Sequence, residues 1–490
     1  MRQRRKKKGW QTIITRYKNF FIMNPILNFL KNVNIPVISI ISSFIFFVVA
    51  VRLSTPAFFG KIAIIQLFST AVSLFELINT SIVSREIVYQ LAKNELDKKF
   101  ISTAIITSFL ISPLFLALLV FSDYLRFLIP YLILFLLYHY LTAILIGLNK
   151  FTENMISWSI FFVVRWGVSV VAVVFNNILL LITIWTLAAL ICDIYSLLVV
   201  IKSVSGLSFA FDKTLFKRLV KESYALNLKS IASFFSTQGD RLIVVSLLGT
   251  YFLAIYQFAA LLADVPGMIL RAVNDSVLVS SSYFKAKGAD ELRMSRLTFK
   301  AVTILTFMTA IVFLAFVRFL VPAFFPAYKA SLDALSILSL SFIFSIPFLV
   351  LTQFIISYKR DLRLFTLISL IDAVLVVLTS IALVPRLGIL GASISQLAVA
   401  VVNNVLNLLY SLHVKVFKVG KKELLLMAMM PVVFAYELFF DKAYFSILLL
   451  FVLFGLFKLT KIFDSHEKDV ITYFIEKKLS FTKRVFEVLF

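Results

Sequence analysis

The sequence predicts an all-α polytopic membrane protein of about 14 transmembrane helices, with two pseudo-symmetric six-helix bundles and two further C-terminal helices. Two observations carry the class. The 490-residue chain is 61% hydrophobic and only 15% charged, whereas soluble chains average roughly 45–50% apolar and about 25% charged. Apolar runs of about 20 residues, enough to cross a bilayer core as a helix, recur from residue 32 to residue 462. Extended segments would leave backbone groups unsatisfied in lipid, so the runs are helices.

The chain opens on the basic stretch "MRQRRKKKGW". The following "FFIMNPILNFL" is short and broken by Asn24, Pro25 and Asn28, so residues 1–31 are expected to form a basic cytoplasmic arm with an interfacial helix. Spans follow near 32–53, 57–83, 100–122, 127–148, 155–176 and 178–201, the N-terminal bundle (32–201). The longest inner connection, 202–221, is the expected linker between bundles. Spans near 222–248, 252–280, 298–321, 331–357, 364–385 and 389–414 make the C-terminal bundle (222–414). Two more, near 424–440 and 444–462, form an appendage (424–462). From 463 to 490 Lys and Glu alternate with Ile, Phe and Leu, as in an amphipathic cytoplasmic tail.

The formal net charge is +24, and most of the 49 lysines and arginines lie in alternate loops and at the termini. The opposite loops hold only Arg126, Lys329, Arg386 and Lys442. That asymmetry places both termini in the cytoplasm, and it reads the positive charge as membrane orientation with no nucleic-acid partner. The outer loops are too short to build an extracytoplasmic active site. Cys192, the single cysteine, excludes an intrachain disulfide, and His139, His413 and His466 have no zinc spacing. Gly60–Lys61 and Gly420–Lys421 lack the remainder of a phosphate-binding loop. No D-x-D, H-E-x-x-H or G-x-S-x-G occurs. The expectation is therefore transport, with no enzyme activity and no cofactor.

A weak internal repeat supports the halving. A shift of 195 residues lays "FELINTSIVS" over "LRAVNDSVLV", matching Asn79 to Asn274, Ser81 to Ser276 and Glu76 to Arg271. Six spans separate the copies, so they share orientation about an axis along the membrane normal.

Charged groups within spans cost at least ~2.5–3.5 kcal/mol each on insertion scales and must face protein or a cavity. Asp264, Arg271 and Asp275 fall along one line of span eight, as a structural ion pair or as the polar wall of a cavity. Asp240 and Arg241 lie toward the outer third of span seven, where an interfacial or gating role competes with substrate contact. Lys229 can snorkel to the inner interface. Arg165 is a candidate contact for an anionic headgroup, because its planar fork matches phosphate oxygens; the alternative is a buried pair with a carboxylate such as Asp193. Asp372 is a lone carboxylate, either a cation or proton site or the partner of a cation. Asn403, Asn404 and Asn407 read as helix–helix hydrogen bonding. Arg165, Arg271, Arg241 and Lys229 are thus the candidate substrate contacts. Asp264, Asp275, Asp372, Asp240, Glu76 and Asp193 are the candidate ion-coupling or ion-pair groups.

The stretch "GDRLIVVSLLGTYFLAIYQFAAL" resembles the seventh–eighth span signature of polysaccharide-biosynthesis membrane proteins. These are lipid-linked oligosaccharide flippases of the multidrug/oligosaccharidyl-lipid/polysaccharide exporter superfamily. "VRLSTPAFFGKIAIIQLFSTAVSLFELINTSIVSREI" resembles their first–second span unit, with Gly60 and Arg85 in place. "ALVPRLGILGASISQ" resembles the turn into span twelve, where Gly388 and Gly391 permit close backbone approach. The turn "VFNNILLLITIW" departs by lacking glycines, and Tyr256 stands where a small residue is more usual.

The resemblance implies alternating access between two bundles in the plasma membrane. Its cargo would be a polyprenyl- or dolichyl-phosphate-linked glycan, carried by a monomer in contact with membrane lipids and with glycan-assembly enzymes. A cation or drug exporter of the same superfamily, and a non-transporting scaffold for glycan assembly, are the rival expectations.

Overall fold

The computed structural model describes residues 25–464 and Glu467, apart from residues 94, 121–123, 205–209, 287–289, 360–362 and 441. The basic start of the arm and the tail beyond Glu467 lie outside the described residues. So do the side chains of Arg271 and Asp275, whose backbone is helical. The chain divides into two compact units, Met1–Ser230 and Ile231–Phe490.

The first unit holds α1 (Pro25–Leu53), α2 (Pro56–Ala71), α3 (Thr80–Lys93), α4 (Lys98–Ile111), α5 (Ile129–Gly147), α6 (Phe151–Phe162), α7 (Ser169–Val174) and α8 (Ile178–Ser203). The start of α9 (Lys213–Leu248) also belongs to it. The second holds the rest of α9 with α10 (Thr250–Ala286), α11 (Glu291–Phe324), α12 (Leu332–Lys359), α13 (Arg363–Leu387), α14 (Ile389–His413), α15 (Lys421–Phe439) and α16 (Ala443–Leu459). Each expected span overlaps helix among the described residues. Among the described residues, 9 helices are long and apolar enough to cross a membrane, and Ile41–Leu53 and Ala443–Leu459 are shorter apolar helices.

Three spans depart from a regular α-helix. Span two tightens into a 3₁₀ turn at Val72–Phe75 and opens at residues 76–79 before α3 begins. The second half of span three is 3₁₀ from Ser112 to Val120, starting where Pro113 removes a donor. Span five winds as a π-helix at Val163–Val168 between α6 and α7.

In the first unit α5 is the most enclosed helix and packs against α3, α4 and α8. A Cβ at Gly147 would stand 2.8 Å from the Ile87 Cβ, so the α3–α5 approach requires glycine. The turn between α13 and α14 needs two more. Gly388 has φ +62, and a Cβ on Gly391 would meet the Leu383 carbonyl at 2.5 Å. In the second unit, Phe299, Ile311, Leu340, Leu426, Met430 and Leu453 join α11, α12, α15 and α16 in one apolar core.

Ion pairs fasten the α15–α16 hairpin to α11 at both ends. At one end Arg296 makes a two-pronged contact with Glu423, at 2.9 and 3.0 Å. Beside it Lys300 Nζ lies 2.6 Å from both oxygens of Glu467. At the other end Arg318 Nη1 lies 2.7 Å from Glu437 Oε2 and 2.9 Å from Ser446 Oγ. Lys300 and Arg318 stand about 27 Å apart along the helix at 1.5 Å per residue.

Candidate functional site

In the first unit, five aromatic rings surround one guanidinium. The π turn has a wider winding than an α-helix and turns Arg165 and Trp166 into the unit, both buried. The Arg165 Cζ stands 4.1 Å from the Trp185 ring centroid and 4.6 Å from that of Trp166. Phe135 and Phe161 are at 5.5 Å, and Tyr131 at 5.7 Å. Ser169 Oγ donates to the Arg165 carbonyl at 2.5 Å and accepts from Trp185 Nε1 at 3.1 Å. Trp166 packs in turn on Phe46 and Phe47 of α1. Arg165 is 6% exposed, and its enclosed Nε has no hydrogen-bond partner. Ring quadrupoles attract the cation by about 0.5–2 kcal/mol each without neutralising it.

The alternative pairing of Arg165 with Asp193 is not formed. Asp193 is buried on α8, and neither of its carboxylate oxygens has a hydrogen-bond partner. Cys192 and Ser196, its neighbours on α8, bond to Ser157 of α6.

Glu76 sits in the break of span two. Its Oε1 accepts from His139 Nδ1 of α5 at 2.8 Å. Its Oε2 caps α3, accepting from Thr80 Oγ1 at 3.1 Å and Thr80 N at 3.4 Å. The broken backbone is satisfied by side chains. Ile78 N donates to Tyr140 Oη, Asn79 N donates to Ser223 Oγ, and Asn227 Nδ2 donates to the Leu77 carbonyl. Lys229, further along α9, is exposed.

In the second unit, Asp240 and Arg241 find separate partners. Tyr256 Oη donates to Asp240 Oδ2, and the Arg241 amide donates to Asp240 Oδ1 at 2.8 Å. Arg241 Nη1 donates to Gln238 at 2.6 Å, while its Nε is enclosed without a partner. Asp264 is half-buried on α10. A polar relay joins three other helices. Asn403 donates to Asp372 Oδ2, Asn407 donates to Asn403, and Thr352 donates to Asn407 at 3.1 Å. Asp372 Oδ1 is buried and has no partner.

The first unit thus holds an arginine on rings, and the second holds carboxylates on neutral donors. Among the described residues no group of three His, Cys, Asp or Glu side chains could hold a metal ion. Ser169 and Asn227 were not singled out by sequence reasoning. His139 was noted only for its lack of zinc spacing and Tyr256 only as a departure from the family pattern, so neither was read as a partner of Glu76 or Asp240.

Residues 28–280 match the model of a family described as polysaccharide biosynthesis protein. The chain belongs to this family. No curated protein sequence matches it. The fold of this polysaccharide biosynthesis protein is similar to that of the lipid II flippase MurJ in an inward closed conformation, with TM-score 0.56 and 16% identity. That likeness covers 89% of this chain and 100% of the other. It is also similar to an inward-facing multidrug resistance MATE family transporter of the MOP superfamily, with TM-score 0.53, 12% identity, and coverage of 78% and 93%. The chain is therefore a multi-pass membrane protein whose fold is like those of MurJ and the MATE transporter.

Proposed function

We propose that the protein is a flippase for a polyprenyl- or dolichyl-phosphate-linked oligosaccharide, moving it from the cytoplasmic to the outer leaflet of the plasma membrane by alternating access. It would work through two six-helix bundles, 32–201 and 222–414, with both termini in the cytoplasm and a cation gradient or potential as the driving force. Dragging a hydrated glycan and its phosphate through hydrocarbon is prohibitive. A polar cavity lets the head cross while the prenyl chain stays in lipid.

The observation that carries this reading is Arg165. A guanidinium is charged at every accessible pH, and this one rests on rings with its Nε unpartnered. The complement it lacks is an anion, and a phosphate or pyrophosphate headgroup supplies one with matching geometry. Arg241 and Arg271 are the further candidate contacts in the second unit. The family match and the MurJ-like fold support the same substrate class.

The test is flipping of a fluorescent prenyl-pyrophosphate glycan in vesicles by wild type and Arg165→Ala at equal folded yield. Flipping by wild type that the variant loses supports the reading. If wild type ignores the glycan and exports organic cations in an Asp372-dependent manner, the drug-exporter reading replaces it. If wild type moves neither but binds glycan-assembly enzymes, the scaffold reading does.

A further inference from the structure

The repeat that relates the halves is broken in one copy only. Residues 76–79 of span two are non-helical, whereas the matching 271–274 of span eight lie inside the continuous helix α10. Something specific to the first unit holds span two open: Tyr140, Ser223 and Asn227 satisfy its backbone, and Glu76 joins it to α5 and α3. One carboxylate oxygen takes His139 Nδ1 at 2.8 Å, and the other caps α3 at Thr80. This carboxylate therefore ties the helix that follows the break to α5.

When Nδ1 donates to a carboxylate, the tautomer is fixed and Nε2 carries the lone pair. Glu76 is 7% exposed, while the His139 side chain keeps 22% exposure, so the imidazole is the more open member of the pair. Phe135 packs edge-on against His139 at 4.6 Å and also borders the Arg165 cage at 5.5 Å. Among the described residues, the charged groups on neighbouring elements do not contact the His139–Glu76 pair. Arg85 and Arg218 pair with Glu222, and Arg218 also reaches Glu86. Tyr140 is engaged by Ile78. Asp193 lies on α8, and Arg165 lies across the Phe135 ring.

We propose that Glu76 and His139 form a proton-binding latch on the break of span two. Uptake of a proton from water by His139 Nε2 turns the Nδ1–H···Oε1 hydrogen bond into an ion pair and fastens α3 to α5. Release of that proton loosens the same joint. The carboxylate already makes this hydrogen bond charge-assisted, and a positive charge on the imidazole adds direct Coulomb attraction at 2.8 Å, so the open, capped geometry is favoured when the imidazole holds the extra proton. The latch depends on nothing assumed about the cargo.

The test uses the full chain in lipid nanodiscs, because its 3 histidines make ¹⁵N-histidine spectra simple to assign. His139→Gln identifies the His139 signal. The latch requires the Nδ1–H tautomer at high pH; an Nε2–H tautomer overturns it. Amide exchange at residues 78–80, corrected for intrinsic rate, should be about five-fold slower at pH 6 than at pH 8. That difference should vanish in His139→Gln and in Glu76→Gln, each of which keeps a hydrogen-bonding side chain in place. A difference that persists in both variants, or is absent from wild type, overturns the proposal.

Discussion

Trp185 serves Arg165 twice, once with each part of its indole. Its ring lies 4.1 Å from the guanidinium carbon, and its Nε1 donates to Ser169, which in turn donates to the Arg165 carbonyl. One side chain therefore holds both the charge and the loosened backbone of the π turn. Trp185→Phe keeps a ring and loses the donor, whereas Trp185→Leu loses both. Thermal unfolding should show Leu more damaging than Phe, by about 1–2 kcal/mol. Equal losses would mean the ring face contributes nothing.

The clamp of Arg318 on Glu437 is buried, with exposures of 7% and 0% for the two side chains. Glu437→Leu leaves an unpaired buried cation and should cost about 3–5 kcal/mol. Changing both, Arg318→Met with Glu437→Leu, should recover most of that loss, because the desolvation cost disappears with the charges. A melting-temperature cycle over the four proteins reads the coupling; additive losses would exclude a working pair.

Asp372 keeps one oxygen on Asn403 and leaves the other unpartnered. Asp372→Asn preserves the shape and one hydrogen-bonding oxygen but removes the charge. Its melting temperature should therefore match or exceed that of wild type. If Asp372 binds the driving cation, flipping by the variant should no longer respond to an imposed proton or sodium gradient. An unchanged response would remove Asp372 from the coupling.

Acid should loosen the Arg296–Glu423 end of the hairpin. Glu423 is held below the usual carboxylate range: burial pushes it up, but the Arg296 hydrogen bonds, with Arg296 and Lys300 charges, together outweigh that. A depressed carboxylate contributes stability above its unfolded value of about 4.3, lost as pH falls through the lower folded value. Asp464, lowered by Lys422, acts in the same direction. Melting should thus be insensitive to this cluster from about pH 7 to 5 and fall below about pH 4. Glu423→Gln should remove part of the fall; an unchanged profile would assign it to other carboxylates.

The helices could be read from the sequence because a bilayer imposes a length and a polarity that few other structures share. Gly388 and Gly391 could be read for a similar reason, since a tight turn admits little else. The break at 76–79 could not, because Ile78, Asn79 and Thr80 suit a helix as well as a gap. What opens it is supplied by Tyr140, Ser223 and Asn227, far along the chain. The Arg165 site was half visible. An unpaired arginine in mid-span announces an environment, but the rings around it come from α5, α6, α8 and the π turn, whose mutual rotation no local pattern encodes. The Asp372 relay was nearer to the surface of the text, since Asn403 and Asn407 were already expected to bond between helices.

The fastening of the α15–α16 hairpin has a bearing on where such a protein can reside. The stretch of α11 between its two clamps, about 27 Å, is close to the hydrocarbon thickness of a bilayer. A leaflet pair much thicker than this would draw one ionic joint into oil, and a thinner one would strand apolar helix in water. Each ångström of misfit costs a fraction of a kcal/mol. The hairpin therefore acts as a gauge, tying the integrity of the second unit to the thickness of its host membrane.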